Sequence, residues 1–187
     1  RKLQVWRITS FTNHELCACS FGESPVRRIR SLATRRYPPE SQVFPRGMAH
    51  IQSLLKMPMV MHNRQWSSNS SYLAKFGWYK SKCCAIPQDP HAFFHWFFEQ
   101  QPGWGLAMYE QDWMNIEYDG VEALQTNLTL ADDWLAGMAA GAHASGRTVQ
   151  YCMPYPHDVL AGSAHAAVTN ARATGDYFHA KHQARCI

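Results

Sequence analysis

A chain of 187 residues with 46% apolar and 13% aromatic content is long enough to bury one sizeable core, which excludes the disordered and fibrous classes. No run approaches the roughly eighteen uncharged apolar residues of a membrane-spanning helix. The formal charge of +4 is unevenly spread: residues 1–56 carry ten Lys and Arg against three Asp and Glu, a net +7, and residues 57–187 carry eight against eleven, a net −3.

The basic head holds Arg27, Arg28, Arg30, Arg35 and Arg36, with no interleaved aromatics and no nucleic-acid-binding motif. It therefore reads as a solvated loop, not as a nucleic-acid footprint. Residues 1–43 are expected to be poorly structured apart from a possible strand over residues 5–12, and residues 44–187 to form the main domain. The chain opens on Arg without an apolar leader, which reads as a piece of a longer protein.

Phe44-Pro45-Arg46-Gly47 opens a predicted helix, roughly Met48 to Lys56, with Met48, Ile51, Leu54 and Leu55 on one face. Pro58 stops it, and MVMHN (residues 59–63) reads as a short buried strand ending in His62, Asn63 and Arg64. Trp66 to Ser71 is a polar loop, and residues 72–87 carry no clear period. Pro90 introduces an aromatic helix, His91 to Gln101, whose Phe93, Phe94, Phe97 and Phe98 cover a core face. His91 and His95 stand i, i+4 like a metal pair but have no third ligand.

Gly103-Trp104-Gly105 leads into a strand over residues 106–111 that ends in Glu110, Asp112 and Trp113. Two carboxylates at a strand end are costly to bury without partners, so the grouping points to function. Asp132 and Asp133 precede an alanine-rich helix, Trp134 to Ala144. A strand from Thr148 to Met153, a proline-bounded connection and a strand from Ala167 to Ala171 then run into the polar mouth Arg172-Ala173-Thr174-Gly175-Asp176-Tyr177. This last stretch has the form of a β-α-β unit with parallel strands.

Helix followed by strand, at intervals of about 30 to 45 residues, predicts an α/β fold of the (β/α)8 TIM-barrel type, incomplete, holding about strands two to six. In such a barrel the polar strand ends His62/Asn63/Arg64, Glu110/Asp112, Tyr151/Met153 and Asn170/Arg172/Asp176 converge. Paired carboxylates with aromatics around them suit glycosidic bond chemistry, one attacking the anomeric carbon and one protonating the leaving oxygen. Trp66, Trp113 and Tyr177 could stack on sugar rings. The six cysteines include Cys17-x-Cys19 and adjacent Cys83-Cys84, both poor zinc spacings, so no metal and no cofactor are expected. The sequons Asn69-Ser70-Ser71 and Asn127-Leu128-Thr129 incline the reading toward a secreted or lysosomal protein. Oligomeric state stays open.

Several of these segments resemble one family. Ala171-Arg172-Ala173-Thr174-Gly175-Asp176-Tyr177 resembles the sixth-strand motif of the glycoside hydrolase clan that holds α-galactosidases, raffinose synthases and seed-imbibition proteins, in which the acid/base Asp follows an Arg by four residues. Gln150-Tyr151-Cys152-Met153 is similar to the strand before it in the raffinose-synthase branch, Tyr109-Glu110-Gln111-Asp112-Trp113 to the nucleophile strand, Met59 to Asn63 to an earlier strand, and Phe44-Pro45-Arg46-Gly47-Met48 to the helix start ahead of that. The resemblance spans about residues 44–178. It implies a retaining mechanism with Asp112 as nucleophile, Asp176 as acid/base, and His62, Asn63, Arg64, Trp66, Glu110, Trp113, Tyr151 and Arg172 as substrate-binding residues for an oligosaccharide or glycoside. The clan usually has Lys two residues before its nucleophile where this chain has Glu110, so both Glu110 and Asp112 stand as candidates for attack. The alternative is a non-catalytic carbohydrate-binding relative or an inactive truncated product.

Overall fold

The structure is a computed structural model that describes residues 6–9, 44–82, 84–100 and 103–172. Strands β1 (Trp6–Thr9), β2 (Met59–Asn63), β5 (Leu106–Gln111), β6 (Thr148–Cys152) and β7 (Val168–Arg172) form one sheet. All its pairings are parallel and its strand order follows the chain order without reversal. The fold is thus mixed α/β with a parallel sheet. The stretch at residues 72–87 that lacked a period contains a 3-10 turn (Ser71–Ala74) and a small antiparallel pair, β3 (Trp78–Lys80) and β4 (Ala85–Pro87), three residues each and too short for alternation to register.

Among the described residues six helices accompany the strands: α1 (Met48–Leu55), α2 (Pro90–Glu99), α3 (Met114–Gly120), α4 (Glu122–Thr126), α5 (Leu130–Ala144) and α6 (Pro156–Gly162). Asp89 caps α2 by accepting from the Ala92 amide at 2.9 Å, with Pro90 at the position that needs no N–H. Helix α5 starts four residues earlier than the periodicity predicts, so Asp132 and Asp133 lie in its first turn, where the helix dipole favours carboxylates. On α1 only Met48 is buried; Leu54 and Leu55 are exposed, so the expected apolar stripe is covered at its N-terminal end alone. Among the described residues no helix is long and apolar enough to cross a membrane.

One face of the sheet meets the helices. Met61, Tyr109, Val149 and Tyr151 point there, as strand alternation requires, into a core shared with Phe93, Phe94, Phe97, Phe98, Trp134, Leu135 and Met138. Each buried Phe contributes about 1.5–3 kcal/mol from area alone. The edge-to-face packing of Phe97 and Phe98 on Tyr109, with centroids 6.0 and 5.4 Å apart, ties α2 to the middle of the sheet. Helix α5 comes against α2 at Gly137 and Gly141, one turn apart. A Cβ at Gly137 would lie 2.6 Å from the Pro90 carbonyl carbon, and one at Gly141 2.7 Å from that of Phe94, so these backbones can approach only where α5 has no side chain.

Alternation sends the other residues to the opposite face. There His62 is in register with Glu110, Glu110 with Gln150, and Gln150 with Asn170, whose Nδ2 donates to Gln150 Oε1 at 3.1 Å. A polar ladder thus crosses four strands on the side away from the helix-covered core.

Candidate functional site

The carboxyl ends of β2, β5 and β6 build the site. Asp112 follows the last residue of β5, and its backbone N–H donates to the Asn63 carbonyl at 2.8 Å, prolonging the β2–β5 pairing by one rung. Its side chain then returns to the same face as Glu110. His62 Nε2 donates to Asp112 Oδ2 at 2.9 Å, and the Trp113 amide donates to Oδ1 at 2.8 Å. The Cys152 thiol at the end of β6 also hydrogen-bonds this carboxylate. Burial by itself would raise the Asp112 pKa; the hydrogen bonds from His62, Cys152 and the Trp113 amide, with the His62 charge, outweigh it and hold the group below its ordinary value. Burial and the neighbouring Asp112 carboxylate push the Cys152 thiol strongly upward, so it stays protonated and acts as a donor.

Two non-glycine residues adopt left-handed backbone at this edge, Trp113 (φ 50°) and Met153 (φ 55°). Each costs about 1–3 kcal/mol and persists only where the surroundings enforce it. They turn the chain sharply out of β5 and β6, and the Asn115 amide donates to the Met153 carbonyl at 3.1 Å, fastening one turn to the other. Arg64, following β2, lays its guanidinium over the Trp113 ring, 3.7 Å from the centroid. Arg172 ends β7 in register with Cys152 and lies close enough for its charge to act on that thiol.

The structure therefore brings together His62, Arg64, Glu110, Asp112, Trp113 and Arg172. It separates three other expected residues from them. Asn63 faces the helix side, donating through Nδ2 to Gln111 Oε1 (3.2 Å), which also accepts from the Tyr109 hydroxyl (2.7 Å). Odd and even positions of a strand point to opposite faces, so Asn63 cannot join His62. Tyr151 is fully buried against α6, where a Cβ on Gly162 would sit 2.7 Å from its ring, so it cannot contact a sugar hydroxyl in the crevice. Trp66, expected as a sugar-stacking surface, is 3% exposed and enclosed by Tyr72, Trp78, Phe93, Phe94 and Phe97. Asp176 and Tyr177 lie outside the described residues.

Three residues not singled out from sequence support the site: Cys152 as a donor to Asp112, Gln111 as the hub beneath it, and Glu117. Glu117 is fully buried at the start of α3 and accepts from the Trp66 amide, which pins the loop after β2 to the turn after β5. Glu117 stands between Asn115 and Asp119, so nothing in the sequence set it apart, and Cys152 and Gln111 had no signal beyond adjacency.

His62, Glu110 and Asp112 each present a ligand-type atom within 4.8 Å of the others, all buried. Cis ligands about 2.1 Å from an octahedral divalent ion lie about 3 Å apart, a spacing that the His62–Asp112 pair fits at 2.9 Å. Compared with protein-family models, with curated proteins and with solved structures, the chain matches none.

Proposed function

We propose that the crevice at Asp112 cleaves or transfers a glycosyl group, as a retaining, α-galactoside-type carbohydrate-active enzyme on a (β/α)8 barrel. The observation that carries this reading is the state of Asp112: a buried carboxylate at the carboxyl end of a central parallel strand, kept ionised by His62, Cys152 and the Trp113 amide. A rigid, ionised carboxylate shielded from water is what attack on an anomeric carbon needs. Two further features support the barrel: a strand order that never reverses, so every right-handed crossover falls on one face, and a polar ladder on the other face, where a closed barrel has its interior.

In the proposed reaction an Asp112 oxygen bonds to the anomeric carbon as the glycosidic C–O bond breaks and the leaving oxygen takes a proton from Asp176. Water, or the hydroxyl of a second sugar, then gives its proton to Asp176 and displaces Asp112. Arg172 and His62 bind hydroxyls or position the acids, and Trp113, backed by Arg64, borders the sugar. The test is turnover of aryl α-galactosides by the full-length protein. Asp176→Asn is expected to lower kcat/KM, which reports the step up to departure of the leaving group, by about 10² to 10⁴ for a poor leaving group, and much less for an activated nitrophenolate, which needs no proton. Equal rates for variant and wild type on both substrates reject the assignment.

A second reading is favoured by the His62, Glu110 and Asp112 set: a divalent cation held there, activating water for hydrolysis. Dialysis against a chelator followed by Mn²⁺, Ca²⁺ or Zn²⁺ separates the two. The glycosyl-ester reading expects unchanged activity and melting temperature; a cation site expects loss of both on chelation and recovery with one metal.

A further inference from the structure

We infer that the open cavity between α3, α4, α5 and α6 is a second sugar subsite, which takes the distal units of an oligosaccharide whose terminal unit sits at Asp112. This inference rests on the glycosyl-transfer reading of the Asp112 crevice. The cavity holds about 490 Å³ and is bordered by Tyr118, Asp119, Gln125, Asp132, Tyr155 and His157 among others, a volume within the range of small-ligand sites.

Its position follows from the fold. In each strand–helix–strand unit the helix starts at the edge where the preceding strand ends, so the first turns of α5 and α6 lie at the edge that carries Asp112. Tyr118 is one helical turn past the start of α3, about 6 Å along its axis, and α3 follows Trp113 directly. Tyr155 is three residues past Cys152, whose thiol touches Asp112. The Asn115 to Met153 hydrogen bond holds these two approaches together.

Its chemistry suits a polyol. Tyr118 and Tyr155 pack edge to face, centroids 5.7 Å apart, and both are partly exposed, so some aromatic surface is available to the C–H face of a sugar. The Tyr155 hydroxyl donates to Asp119 Oδ2 at 2.7 Å, and His157 Nε2 stands 3.2 Å from Asp132 Oδ1. Each carboxylate is thereby fixed in orientation by one partner, with lone pairs left to accept from neighbouring hydroxyls. Among the described residues three aspartates and no Lys or Arg line the cavity, which disfavours phosphates, sulfates and uronates. A bare organic cation is the competing occupant.

The test compares an aryl α-galactoside, too short to reach the cavity, with the α-galactosyl tetrasaccharide stachyose. Two variants are used, Tyr155→Ala and Asp132→Ala, the latter at an exposed side chain, with melting curves to check that both stay folded. Both are expected to lower kcat/KM for stachyose about tenfold through KM while leaving the aryl substrate unchanged. Equal loss on both substrates, or none on either, overturns the subsite. If the wild type turns over neither substrate, the Asp112 reading fails by itself, and saturation-transfer NMR with stachyose still decides the subsite. Transfer lost in both variants upholds it. No transfer, transfer indifferent to the variants, or displacement of stachyose by choline overturns it.

Discussion

Asp112→Asn is expected to lower kcat on an aryl α-galactoside by about 10⁴-fold or more, because it removes the group that in the proposed reaction bonds to the substrate, while leaving the fold and the crevice shape in place. The carbonyl oxygen of Asn can accept from the Trp113 amide where Oδ1 did, and its NH2 can donate to His62 Nε2 in the other imidazole tautomer where Oδ2 accepted, so the melting temperature should change little. Asp112→Gly with added azide gives the companion result: azide enters the space left by the carboxylate, bonds to the anomeric carbon as the glycosidic C–O bond breaks, and yields a glycosyl azide of inverted anomeric configuration, a product that a metal-bound water at this position would not form. The pH profile follows from the same contacts. Since the folded-state pKa of Asp112 lies below its ordinary value of about 4, the acid limb of kcat/KM falls below that pH. The sign for stability is the same: the contribution of Asp112 is complete above the unfolded pKa and disappears as pH falls through the lower folded value. His62→Ala removes the principal donor and leaves burial, which raises the pKa, with less to oppose it, so the acid limb should move upward. An acid limb that His62→Ala leaves in place would show that His62 does not set the state of Asp112.

The strands β2 and β5 were readable because each is a short run opened by Pro58 or Gly105, whereas β3 and β4 were too short to show a period. MVMHN and LAMYEQ occupy the bounds that their sequence predicts, 59–63 and 106–111. Which residues end a strand was equally readable, but which face each side chain takes was not. His62 and Asn63 are neighbours in sequence, and one meets Asp112 while the other meets Gln111, because the direction of a side chain is decided by which strand face the helices cover. Tyr151 and Cys152 part for the same reason: the residue expected to bind substrate lies under α6, and its neighbour touches the carboxylate. Sequence likewise cannot tell an aromatic ring that faces a ligand from one that faces other rings.

Trp66 is where that last ambiguity has the largest measurable consequence. If it stacked on a sugar, Trp66→Ala would raise KM and leave the melting temperature alone. Its surroundings give the opposite expectation. The ring is edge-on to Phe93 at 5.0 Å and to Phe97 at 5.2 Å, with Tyr72, Trp78 and Phe94 completing the enclosure. The Trp66 backbone, meanwhile, receives the Ala85 amide at 2.9 Å and donates to buried Glu117. Truncation to Ala leaves an indole-sized void between α2 and the β3–β4 pair, which close-packed neighbours fill only in part, and costs about 3–5 kcal/mol. For a chain of this size each kcal/mol is worth about 2–4 °C, so the melting temperature should fall by roughly 6–20 °C. Trp66→Phe should lose much less: the benzyl ring keeps most of the edge contacts, and the substitution removes an indole N–H that is buried with no acceptor among the described residues. Melting curves in that order, wild type above Phe and Phe well above Ala, place Trp66 in the core, whereas three coincident curves with a raised KM in the Ala variant would return it to the substrate.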